Sequence, residues 1–335
     1  MDEMTLLRTV RDDVPDVQPD ALAEGRRLLM RAALEKPRRT RRRTFLLLVA
    51  SATALLVVAL AVGLWPGGQE SATAAEVLED ASTASTRTSD PVAGPGEFLR
   101  VTTHERSLGY VMGAGSDVVG AYVAGTVATT WVPHDRRGQW VSRSYSEEPT
   151  TFYGGETVRR AARRDFAESA TAASPNVERA AGGRFGNGEL GGGEDRFIGV
   201  DDLPSLPRTG RALLETLAQA PGAPEPRTDK VMSQITMLLR SGLVPHDLRA
   251  AMYDAIALLP GVVITDDQAS LDGRTGTAIG VRNSTGKELD EVIIDRETGD
   301  YLGSRQTQLV RQGAVPAHTV MDSTSVDVTV VDSAP

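Results

Sequence analysis

The chain contains no cysteine. That excludes disulfides, thiolate zinc sites, iron–sulfur clusters and cysteine nucleophiles outright. Aromatic residues are scarce, at 4% of the 335 positions, while hydrophobic residues reach 40%. A core is therefore affordable, but it must be assembled from Val, Leu, Ile and Ala rather than from rings. Lysine is nearly absent. Lys36, Lys230 and Lys287 stand against 33 arginines, a bias of GC-rich coding that carries no chemistry. The four histidines, His104, His134, His246 and His318, are scattered, and no two stand at metal-ligand spacing.

Motifs of catalysis and nucleotide binding are missing as well. There is no G-x-S-x-G, no Walker A loop and no H-E-x-x-H. Gly113-Ala-Gly115 lacks the third glycine of a dinucleotide loop and reads as a turn. The acidic stretch Asp266–Gly273 lacks the EF-hand order and its bidentate Glu, so it also reads as a turn. Glu288, Asp290, Glu291 and Asp295 cluster on one strand, a pattern expected of a solvated face rather than of paired acid–base catalysis. No catalytic, cofactor-binding or metal-binding residues are expected, and the chain reads as non-enzymatic.

Charge is distributed unevenly. Residues 1–44 hold 11 basic and 8 acidic side chains, and the remainder holds 25 and 37. An acidic majority repels phosphates, so nucleic acid is excluded as a partner of the larger part.

What the sequence does contain is one long apolar run, Phe45–Trp65, free of charge over 21 residues. At about 1.5 Å per residue it spans about 31 Å, the thickness of a bilayer core. Trp65 suits the interface, and Pro66-Gly67-Gly68 ends the helix. Six positive charges between Lys36 and Arg43 precede the run, and none follows until Arg87. The positive-inside rule then places the N-terminus in the cytoplasm and residues 66–335 outside it. A cleavable signal peptide is the competing reading, with Ala72-Thr73-Ala74 as its cleavage site. The long apolar run and the 44 preceding residues speak against it.

The expected organisation is a cytoplasmic tail with short helices (1–44), a transmembrane helix (45–65), a linker with a short helix (66–96) and an extracytoplasmic domain (97–335). Residues 1–35 read either as a partly ordered tail or as an amphipathic element for a cytosolic partner. Within the domain, period-two patterns mark strands over Glu97–Arg106, Val118–Val132 and Gln139–Tyr145. Residues 146–200 carry the weakest pattern, and the glycine-rich stretch near 181–193 reads as a flexible insertion. Helices follow around Leu213–Leu217, Asp229–Arg240 and Pro245–Leu259. Leu248, Met252, Ile256 and Leu259 share one helical face, expected to pack on the sheet and floor a groove. An antiparallel meander from Gly261 and a closing strand over Thr319–Val331 complete the chain. Long antiparallel strands with helices grouped between them make this α+β.

Several segments together resemble a known family. They are Ala75-x-Val77-Leu78-x-x-Ala81, Gly96-Glu97-Phe98-Leu99-x-Val101, Trp131-Val-Pro-x-Asp135-x-x-Gly138, Leu243-Val-Pro245-x-x-Leu248-Arg249-Ala-Ala251-x-Tyr253, and Ile294-Asp295-x-x-Thr298-Gly299. With the Leu-rich N-terminus and the single span, they are similar to an uncharacterised family of actinobacterial single-pass membrane proteins often encoded near extracytoplasmic-function sigma factors. The exterior part resembles, more distantly, the lipoprotein-carrier half-barrel of periplasmic sigma-factor regulators. The resemblance implies a curved antiparallel sheet over helices with a concave apolar groove, and transfers no catalytic residues. One span joining a large exterior domain to a small cytosolic segment suggests a non-enzymatic accessory or regulatory protein, linked to sigma-factor or envelope signalling, alternatively a lipid- or lipoprotein-binding module that the anchor only localises. The expected partners are the membrane, a cytosolic regulatory partner through residues 1–35, and a lipid or peptide ligand in the groove. No cofactor is expected.

Overall fold

The computed structural model describes residues 73–169, 174–185, 198–218 and 228–335, all within one compact unit, Gly68–Pro335. The N-terminal tail, the Phe45–Trp65 run and the glycines between positions 186 and 193 lie outside the described residues. Among the described residues, no helix is long and apolar enough to cross a membrane.

Helix α1 (Ala74–Arg87) starts on a capping box: the Thr73 hydroxyl accepts from Glu76 N at 3.2 Å, and the Glu76 carboxylate accepts from Thr73 N at 2.5 Å. The same Thr73 is the middle residue of the alternative cleavage motif. Val77, Leu78 and Ala81 fall on one face and are buried in the main core, so this helix is part of the folded domain.

Ten antiparallel strands form one sheet. In chain order they are β1 (Phe98–Met112), β2 (Val118–Pro133), β3 (Gln139–Glu147), β4 (Phe152–Tyr153), β5 (Asn176–Ala181), β6 (Val263–Leu271), β7 (Arg274–Arg282), β8 (Glu288–Ile294), β9 (Tyr301–Gln308) and β10 (Thr319–Val331). The spatial order is β5-β3-β2-β1-β10-β9-β8-β7-β6, with β4 pairing β2 alone. Two meanders, one from each half of the domain, are thus joined by the last strand, which lies in the middle of the sheet between β1 and β9. The valines at 326 and 328 pack into the core shared with the helices, because the strand period is two, while Val330 is exposed.

Among the described residues, the other α-helices are α2 (Glu156–Glu168), α3 (Gly210–Ala218), α4 (Thr228–Arg240) and α5 (His246–Ala257). The expected face of α5 is fully buried at Leu248, Met252 and Ile256. Its neighbours differ from the expectation, however. α5 packs chiefly on α1 and α3, while α4 is the helix that lies on β7–β10. Buried Ala250, Ala251 and Ala255 explain this, because small residues let helices close on α5 from more than one side. The sheet and helices share one core of aliphatic residues, with Tyr253, Trp140 and Tyr301 as its aromatic members.

The described residues of 146–200 are more structured than their pattern suggests. They hold β4, α2 and β5, and a 3₁₀ helix follows over Val200–Ser205. α2 escaped notice because it is mostly charged. Only Val158 and Ala162, four residues apart, are buried, and they pack against Tyr122 of β2. The insertion expected near 181–193 begins in ordered structure, since Ala181 closes β5 and Gly182 donates its N–H to Gly138 O at 2.9 Å.

Candidate functional site

Strands β9 and β10 pair from Gln308 opposite Thr319 to Gly303 opposite Ser325, and there the pairing stops. Upstream, β9 stays with β8 through Tyr301 opposite Ile294, while β10 continues along β1 to Val331 opposite Phe98. The two strands therefore part, and carbonyls along the split lose their ladder partners. Arg274 fills the gap. Its Nη2 donates to Leu302 O at 3.0 Å and to Val326 O at 2.6 Å.

The split opens into a groove of about 840 Å³, within the roughly 300–1,000 Å³ common for small-molecule sites. One wall is apolar, made of Leu99, Val326 and Val328 from the sheet, Leu239 from the end of α4, and Leu243 and Val244 from the turn between α4 and α5. That turn sits directly on the valines. Gly242 has φ +66°, and a Cβ there would lie 2.7 Å from Val101 Cγ1 and 3.0 Å from Val328 Cγ2. Only glycine allows both the backbone angle and the approach.

A strap, Thr88–Ala93, follows α1 and borders the groove. It is pinned at two points. The Asp90 carboxylate accepts from His246 N at 2.6 Å and from Arg249 Nη1 at 3.1 Å. Asp90 thereby supplies the cap that Pro245 cannot give to α5. At the other end, His134 Nδ1 donates to Ala93 O at 2.7 Å, which requires the proton on Nδ1. Between the pins Val92 protrudes, 76% exposed.

Arg249 is the hub of the polar end. Its Nε donates to Ser85 Oγ at 2.9 Å and to Gly299 O at 3.2 Å, and its Nη2 lies 3.8 Å from Asp300. The Tyr253 hydroxyl donates to the same Gly299 carbonyl at 3.1 Å. Burial raises the Tyr253 pKa, so the phenol keeps the proton this bond needs. Gly299 itself has φ +73°, and a Cβ would meet Ala81 O and Ser85 N of α1 at 2.4 Å. This knot locks α1, α5 and the β8–β9 turn together behind the groove. Tyr301 lines the groove too. Burial pushes its phenol up to about 12, with Ser304 and Arg240 pulling the other way, so it stays neutral.

Asp90, His134, Arg249 and Arg274 hold one another or the backbone, while Arg136 and Asp327 also line the groove. The arrangement can bind a molecule with an apolar part. The histidines do not converge: His104 pairs with Asp272 at 3.0 Å, His246 opens α5, and His318 precedes β10. Among the described residues, no group of three or more His, Asp or Glu side chains could hold a metal ion.

Two expectations about acidic residues are corrected. Asp266–Leu271 is strand rather than turn, bent by irregular pairing on both sides of Asp266, and only Asp272-Gly273 turns. The Glu288–Asp295 segment is not a solvated face either. Glu291 is 2% exposed, held by Arg305, Thr265 and Thr307. The bent β6 explains this, because it brings Thr265 and Asp266 over the face that Glu291 occupies. Asp290 points the other way and accepts from Gln306 Nε2 at 2.7 Å.

Burial raises the Asp290 pKa above the ordinary carboxylate value, against the pull of Gln306. An Asp with a raised folded-state pKa costs stability when ionised and stops costing it when protonated. Asp290→Asn should therefore be more stable than wild type at neutral pH. The advantage should shrink as pH falls through the folded pKa toward about 3.9, the unfolded value. Urea unfolding of both proteins across that range checks this, and an advantage that grew on acidification would contradict it.

The groove residues Asp90, His134, Arg249 and Arg274 come from four separate segments, and no local pattern marks them as a set. The Asp90 strap lies in the stretch 66–96, which reads from sequence only as a linker with a short helix.

No family model matches the chain, and no curated protein matches it. Among solved structures it is similar to a DUF1329 family protein from Desulfovibrio piger ATCC 29098, at 8% identity and a TM-score of 0.19, over 77% of this chain and 93% of that one. A likeness that slight carries no inference about fold or function.

Proposed function

We propose that the domain is a binding module for an amphiphile, a molecule with an acyl or similarly apolar tail and a polar end, and that it does no chemistry on it. The observation that supports this most is the groove itself, with one aliphatic wall and an arginine-bearing polar end at the split between β9 and β10. The large antiparallel sheet over helices also agrees with the lipoprotein-carrier-like architecture that the sequence resemblance implies. In this reading the Phe45–Trp65 run anchors the module, and residues 66–335 lie outside the cytoplasm. An accessory or regulatory role follows if occupancy of the groove is relayed to residues 1–35. Deleting those residues should then abolish signalling and leave ligand binding intact.

The binding claim is tested by displacement of a fluorescent fatty-acid probe. Val328→Phe places a ring in the groove. It should weaken probe binding by about tenfold, a loss of about 1.4 kcal/mol, and, because the Gly242 turn sits on Val328, should lower the melting temperature by a few degrees without unfolding the domain. Unchanged affinity in a folded variant would put the ligand elsewhere.

A further inference from the structure

Two turns beside the groove mouth carry arginines with no acidic partner among the described residues. Arg136 and Arg137 lie in the β2–β3 turn, and Arg136 lines the groove. Arg184 lies just after β5, in a segment fixed to that turn by the bond from Gly182 N to Gly138 O at 2.9 Å. All three are exposed. The one carboxylate in the same turn, Asp135, accepts from Arg137 N at 3.0 Å. Across the mouth stand Pro91 and Val92, both exposed and both lining the groove, and His134 ties their strap to the arginine-bearing turn.

The chain beyond residue 44 holds 25 basic and 37 acidic side chains, so an anionic surface would repel most of it. Here three arginines outnumber the carboxylates beside them, Asp135 in the turn and Asp327 on the groove wall, and flank a protruding aliphatic side chain. That pairing fits a bilayer interface, where guanidinium groups meet lipid phosphates and an apolar side chain enters between headgroups.

We propose that the groove mouth, formed by Pro91 and Val92 together with Arg136, Arg137 and Arg184, docks on an anionic lipid bilayer. The docking points the groove at the membrane, so that an amphiphile passes between them without crossing water. The surface is defined by the rim alone and stands even if the groove holds something other than an amphiphile.

The absence of cysteine makes the test direct. Full-length Val92→Cys protein, labelled with an environment-sensitive dye, is reconstituted into vesicles of phosphatidylcholine with or without phosphatidylglycerol. A second protein carries the label at Val263→Cys, an exposed position on edge strand β6. The expected result is a blue-shifted, severalfold brighter emission at position 92 in the anionic vesicles only. It should fade with added salt and disappear in the Arg136→Gln, Arg137→Gln, Arg184→Gln triple variant. The label at 263 should not respond. Equal emission in the two lipids, a response at both positions, or a shift that survives loss of the three arginines would overturn the proposal. All three arginines are exposed, and unchanged circular dichroism will show that the triple variant is folded.

Discussion

Replacing Ile256 with Asp should cost several kcal/mol and leave the domain close to unfolding. Ile256 has no exposed surface and lies in α5, which packs against α1 and α3. An aspartate there has no cation or donor to meet it, and an isolated buried carboxylate is among the most expensive substitutions in a core. A typical domain has about 5–15 kcal/mol in total, so the loss is a large share. Asp254, two residues away, is exposed on the same helix. Asp254→Ala should change stability by less than about 0.5 kcal/mol. Chemical unfolding of wild type and both variants makes the comparison. A wild-type midpoint for Ile256→Asp would remove α5 from the core.

The second large effect is expected at Glu291. Its side chain and that of Arg305 are 1% and 19% exposed, with Arg305 Nε 2.7 Å from the carboxylate. Arg305 Nη2 adds a bond at 3.0 Å, and Thr307 Oγ1 donates at 3.1 Å. Glu291→Ala strands the guanidinium and the Thr307 hydroxyl, while Thr265 keeps the Ala278 carbonyl at 3.2 Å, and it should cost about 3–5 kcal/mol. Asp266, 3.4 Å from Arg305, is half-exposed and offsets only part of this. Replacing Glu291 and Arg305 together by Leu should cost much less than the single change, because no charge is left unpaired. If the double variant proved as unstable as Glu291→Ala, the pair would not be the source of the loss.

The parts of the fold that were legible in the sequence are those with strong local periodicity. Val326, Val328 and Val330 alternate plainly, and the helix from His246 shows its apolar face at Leu248, Met252 and Ile256. The turn chemistry of Trp131–Trp140 likewise marks the β2–β3 hairpin. What stayed hidden depends on contacts between distant segments. Nothing local says that β10 inserts between β1 and β9, since strand order is set by which edges are left when the meanders meet. α2 was hidden by its charges, and Glu291 looked solvated because the bend in β6 that covers it is a tertiary feature. The groove is the extreme case. Asp90 and Arg249 are 159 positions apart in the chain, and Arg274 matters only because two strands separate beside it.

The central claim is that the groove holds the apolar tail of an amphiphile. The most direct measurement is photo-crosslinking of the full-length protein with a fatty acid carrying a diazirine near its tail end, followed by peptide mapping. Adducts should concentrate on Leu239–Val244 and Val326–Val328, and excess unlabelled fatty acid should suppress them. Adducts spread over the exposed surface, or concentrated on the outer strands β5 and β6, would contradict it.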